Sequence, residues 1–117
     1  MYTGKLSDEN ISHIFRDAAD FMRRELHCGD HTLYAYAIDG RIASAYASDY
    51  IFKPITKHLT APTMEKLYQN ALSGMIYNNV AKPCEDLDTA ALLLVNGLCV
   101  VLFPEVGAIA FEVRTPE

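Results

Sequence analysis

Two apolar runs near the end of the chain, Leu98 to Phe103 and Ala108 to Val113, limit its fold more than any other feature. The first is apolar at every position, which suits a buried central strand, and Pro104-Glu105-Val106-Gly107 joins it to the second as a hairpin. Such a strand needs a sheet around it. Thr32 to Ile38, built of β-branched, aromatic or small residues and closed by the turn dipeptide Asp39-Gly40, predicts another strand. Ile76 to Ala81 predicts a shorter, partly polar one that Pro83 ends.

Helical signals fill the intervals. Ser7 is a good N-cap, Asp8 and Glu9 stand in the first turn, and apolar residues recur at Ile11, Ile14, Phe15, Ala18, Met22 and Leu26. One amphipathic helix is therefore expected from Ser7 to His27-Cys28-Gly29, where Gly29 supplies the stop. Ala45 to Leu59 carries Ile51, Ile55 and Leu59 at spacing four, with Pro54 expected to kink or divide the helix. Thr63 caps a helix through Met64, Leu67, Tyr68, Ala71 and Leu72 that stops at Gly74, and Asp86 or Asp88 caps another that ends at Asn96-Gly97. The order α-β-α-α-β-α-β-β places the chain in the α/β class, a mixed sheet with helices packed on it.

At 117 residues, half of them apolar, one domain spanning 1–117 is the expectation, large enough to fold without disulfide or metal staples. The net charge of -5 and the dispersal of the ten basic residues, with Arg23-Arg24 the one adjacent pair, argue against nucleic acid as a partner. Cys28, Cys84 and Cys99 are an odd number at wide spacing and read as free structural thiols. Met1 to Lys5 is too polar for a secretory leader, and Ala90 to Val95 is far short of the ~20 apolar residues that span a bilayer. The domain itself is expected to be soluble. Thr115-Pro116-Glu117 follows directly on the last strand, as the exit segment of a domain excised from a larger protein would.

The sequence offers little for catalysis. His27-Cys28-Gly29-Asp30-His31 collects possible zinc ligands, but adjacent residues in one loop cannot converge on a tetrahedral centre, so no metal site is expected. His13 and His58 lack a nucleophile in a recognisable elbow, and Cys84 lacks a context that would lower its pKa. Glu85, Asp86 and Asp88 precede an apolar run and are read as helix capping. Neither GxGxxG nor GxxxxGK[ST] occurs, and no cofactor is expected. Tyr46, Tyr50 and Phe52 cluster more densely than one buried face needs, which makes them candidate interface residues.

Four passages resemble a family, the A subunits of GerA-type spore germination receptors. The first predicted helix, with Asp20 and Arg23-Arg24, resembles the family's Asp-x-x-x-Arg helix, and Tyr36-Ala37-Ile38-Asp39-Gly40 resembles its Tyr-x-Asp-Gly strand and turn. Ile51-Phe52-Lys53-Pro54-Ile55 is similar to its Ile-Leu-Lys-Pro-Leu phrase. Asp86-Leu87-Asp88 through Asn96-Gly97, with Leu98 to Phe103 and Ala108 to Arg114, is similar to the helix, glycine and paired strands that end the family's soluble amino-terminal region.

The resemblance implies a membrane receptor subunit whose missing carboxyl-terminal portion reaches the inner spore membrane, with this domain on the cytosolic side. It implies a transporter-like B subunit and a lipoprotein C subunit as partners, with homo-oligomer formation also open, and a role in assembly or signal relay during nutrient-triggered germination. Two other readings stand beside it. The domain could bind a small germinant-like ligand between the Tyr36 to Gly40 strand end and Lys53, with Asp39 and Lys53 as polar contacts. A stand-alone enzyme would have Asp39, His58 and Cys84 as its candidate groups.

Overall fold

Apolar side chains in the strands alternate so regularly that the sheet has two dry faces, and the helices divide between them. The computed structural model describes residues 2–38, 53–58, 61–73 and 80–112. In chain order the elements are α1 (Asp8–Ile14), β1 (Phe21–Cys28), β2 (His31–Ile38), α2 (Lys53–His58), α3 (Met64–Leu72), β3 (Val80–Cys84), α4 (Leu87–Val95), β4 (Cys99–Phe103) and β5 (Gly107–Glu112). The 5-stranded sheet runs β1-β2-β4-β5-β3, and each neighbouring pair is antiparallel. β3 and β4 thus point the same way with β5 between them, and α4 makes the crossover.

One face presents Leu33, Ala35 and Ala37 of β2, Cys99, Val101 and Phe103 of β4, and Ile109 and Phe111 of β5 to α2 and α3. The other presents Tyr36, Val100, Leu102, Ala108 and Ala110 to α1 and α4. The small residues on β5 let α4 lie close, through Leu87, Ala90, Ala91 and Leu94, the i, i+3, i+4, i+7 stripe of an amphipathic helix. Thr63 and Asp86 cap α3 and α4 by accepting from Lys66 N and Thr89 N, and Gly97 ends α4 with φ 93°. Among the described residues, no helix is long and apolar enough to cross a membrane.

The α/β class is the one expected, with one strand more. The predicted first helix divides: α1 stops at Ile14, a turn follows, and Phe21–Cys28 is strand β1, paired along its whole length with β2. Met22 and Leu26 meet the spacing of four that a helix requires, but Leu26 and Cys28 also alternate, and only the strand buries Cys28 beside them. The order becomes α-β-β-α-α-β-α-β-β, and the sheet is antiparallel rather than mixed at every pair described. Pro83 does not end a strand but pairs with Ile109 inside β3, an edge strand, where a residue without an N–H is tolerated. Pro54 stands in the first turn of α2, where its missing N–H interrupts no hydrogen bond.

Candidate functional site

The most developed polar arrangement in the described residues forms where α1 meets the β1–β2 ribbon. Asp8 opens α1, and the sheet register sets Arg23 opposite Tyr36. Arg23 donates to both carboxylate oxygens, Nε to Oδ1 at 2.8 Å and Nη2 to Oδ2 at 2.7 Å, the planar two-point pairing that suits a guanidinium. The Tyr36 hydroxyl donates to Oδ1 at 2.6 Å, and the Arg23 guanidinium also lies 4.8 Å from the centre of the Tyr34 ring. Beneath this node Phe15, Phe21 and Tyr36 stack, with centroids 5.1 and 5.9 Å apart.

The electrostatics follow from that geometry. The hydrogen bonds from Arg23 hold the Asp8 carboxyl below its usual range, against the opposing effect of partial burial, with Tyr36 adding to the lowering. Burial, then the bond to Asp8, raises the Tyr36 hydroxyl, and Asp8 raises Arg23. Each group is fixed in one protonation state across the physiological range. Such a node is suited to fastening α1 to the ribbon.

Two clefts flank the segment leading into α1. One, of about 320 Å³, is lined by Gly4, Lys5, Leu6, Glu85, Asp86, Glu105 and their neighbours. The other, of about 220 Å³, is lined by Leu6, Ser7, Asp8, Tyr34, Leu102 and Pro104 among others. Several charged groups there are engaged: Lys5 Nζ reaches Glu105 at 2.8 Å and Thr89 N donates to Asp86, while close by Tyr2 N donates to Asp88 Oδ1 at 2.9 Å. The capping role read for Asp86 is the one observed, and the hydrogen bond from Thr89 N lowers its carboxyl.

Among the described residues, those singled out from sequence are spread over separate elements. Asp39, Tyr46, Tyr50 and Phe52 lie outside the described residues; Lys53 is exposed at the start of α2. His27 to His31 forms the β1–β2 turn, with Gly29 at φ 62°. There His31 Nε2 lies 3.2 Å from Ala61 O, His27 Nδ1 lies 3.4 Å from Thr32 Oγ1, and Cys28 Sγ donates to Ile55 O. These partners pull the side chains apart, and no group of three or more metal-ligating side chains occurs among the described residues. His13 is exposed in the last turn of α1. Cys84 lies on the α1/α4 face, whereas α2, which carries His58, packs on the other. Burial pushes the thiols up, to about 11 for Cys28 and about 12 for Cys99, and raises Cys84 as well.

The outer face of α4 holds a feature that sequence reading passed over. Leu92 and Val95, one turn apart, are 58% and 48% exposed, and the sole charged residue of the helix is Asp88. Beyond Asp88 and Thr89 the helix is apolar on every side, the pattern of a helix with a second covered face. The continuous run Ala90 to Val95 carried that signal.

No family model and no curated protein matches the sequence. The structure is similar to the crystal structure of the N-terminal domain of the A subunit of the Bacillus megaterium spore germinant receptor GerK3, with a TM-score of 0.69 at 11% sequence identity. The match covers 100% of this chain and 50% of that one, so this chain spans half the length of its structural neighbour. The fold implied by the sequence resemblance is therefore the fold found: along its whole length the chain is built like part of a germinant receptor A subunit's N-terminal domain.

Proposed function

We propose that this chain is the soluble cytosolic domain of a spore germination receptor A subunit and that it serves receptor assembly or relays the nutrient signal, without catalysis. The observation that carries this reading is the structural agreement over the whole chain with a receptor domain, reached independently of the four passages of sequence resemblance. The exposed Leu92 and Val95 support an assembly role, since an apolar helix face is suited to a subunit contact. The raised, buried thiols and the locked Asp8 node support a non-catalytic one.

The expected partners are a transporter-like B subunit and a lipoprotein C subunit, at the cytosolic face of the inner spore membrane. In the native organism, spores lacking the gene should lose germination in response to at least one nutrient, and the tagged protein should co-purify with other receptor subunits from spore membranes. Replacing Leu92 and Val95 with Glu should weaken that co-purification. Germination unchanged for every nutrient, with no subunit recovered, would reject the reading.

A further inference from the structure

The segment before β1 is attached to the rest of the domain differently from every strand. Among the described residues, its backbone hydrogen bonds are local, Ile11 N to Ser7 O and Phe15 N to Ile11 O, and none joins it to the sheet. Side chains and one amide hold it instead: Tyr2 N on Asp88, Lys5 on Glu105, and Asp8 on Arg23 and Tyr36. Its buried apolar anchors are Ile11 and Phe15, one helical turn apart, which fill the groove between α4 and the β1–β2 ribbon. The cleft of about 320 Å³ borders Gly4 to Leu6 and that of about 220 Å³ borders Leu6 to Glu9, so open space adjoins this stretch along its length.

We propose that residues 2–15 form a strap that opens as one unit while the sheet and the other helices stay folded, uncovering an apolar groove shaped to take a helix. Two anchors and a set of ionic latches make a subunit of low local stability, and a latch of this kind can release without breaking a single ladder bond. The vacated groove would present Phe21, Tyr36 and the sheet-facing flank of α4, with Arg23 at its rim. It would recognise an amphipathic helix that places an acidic residue three positions before the first of two apolar anchors spaced by four, as Asp8, Ile11 and Phe15 are. This deepens the signal-relay reading and rests on it for its use. The opening itself is measured on the chain alone and is independent of any germination phenotype.

Native-state hydrogen exchange on the 117-residue chain tests it. The amides of Ile11 and Phe15 should exchange about 100-fold faster than those of Val100 and Val101, with a common dependence on denaturant. Asp8→Asn should speed both strap amides by the same factor, roughly 5- to 10-fold, with β4 still exchanging about 100-fold more slowly than the strap. Should that variant fail to fold, 1 M against 0.05 M NaCl on the unaltered chain gives the same comparison, because salt weakens partly exposed ion pairs. The idea is overturned if Ile11 and Phe15 track Val100 under all conditions, which means opening only by global unfolding. It is equally overturned if the two respond to Asp8→Asn by different factors, which means fraying residue by residue.

Discussion

The β4–β5 ribbon and the β1–β2 ribbon are both antiparallel hairpins in one sheet, yet they are held in place by different physics. All five residues of β4 are buried and none is charged, so its position follows from covering apolar surface on both faces. In β1 only Leu26 and Cys28 of eight residues are buried, and Arg23, Arg24, Glu25 and His27 face solvent at the sheet edge. That edge is fixed by register and by the Asp8–Arg23–Tyr36 node. Where burial alone decides, a run of sequence is enough; where pairing decides, the partners must be known.

The comparison predicts its largest effect in β4. Phe103 is fully buried and meets Tyr68 edge-on at 5.4 Å. Phe103→Ala should lower unfolding free energy by about 3–5 kcal/mol in urea titrations, because it removes the ring and leaves a cavity between the sheet and α3. A loss below about 1.5 kcal/mol would mean that this face collapses around the gap and is not the rigid core described.

The ribbon held by the node should respond less and in a pH-dependent way. Tyr36→Phe keeps the buried ring and removes a hydrogen bond to a carboxylate, so a loss of about 1–2 kcal/mol at neutral pH is expected. The sign with pH follows from the lowered Asp8 pKa. The folded state favours the ionised carboxylate, so the contribution is complete above the unfolded value near pH ~3.9 and disappears as pH falls through the lower folded one. Wild type should therefore lose more stability than Asp8→Asn between pH 5 and pH 2, measured by denaturant midpoint. Asp86, lowered by its Thr89 bond, titrates in both proteins and cancels in the difference. Parallel profiles would show that the node does not stabilise the ribbon.

The same contrast explains what could be read in advance. Thr63, Asp86 and Gly97 announced helix ends because capping is a local exchange of hydrogen bonds within a few residues. β4 and β5 were legible from apolar runs and one turn. The first helix was overextended because Ala18, Met22 and Leu26 repeat every four residues, an interval that a helix and one face of a strand share. What separates the two is Phe21 pairing with Ile38 through Cys28 with His31, a contact with a later segment. The node was invisible for the same reason. Arg23 lies 15 residues from Asp8 and Tyr36 lies 28 from it, and only folding makes them neighbours. Leu92 and Val95 could have been found, since Ala90 to Val95 is apolar on every side of a helix, a pattern first read only as too short for a membrane.

The smallest expected effects test whether the turn closing β4–β5 obeys the same local rules. Val106 N bonds Phe103 O at 3.0 Å, with Pro104 and Glu105 at the centre, and Glu105 has φ 68°, a left-handed conformation for which a side chain other than glycine or asparagine is strained. Glu105 also carries the exposed pair with Lys5, whose side chains are 63% and 78% accessible. An ion pair this exposed contributes little, so Lys5→Ala should change stability by less than about 0.5 kcal/mol. Glu105→Asn loses the same pair but suits the left-handed backbone, and should raise stability by about 0.5 kcal/mol. If Glu105→Asn instead destabilises while Lys5→Ala does not, the glutamate is held by something other than the lysine, and backbone strain is not what the turn stores. If both destabilise by the same amount, the pair outweighs the strain, and the latch on the strap is stronger than its exposure implies.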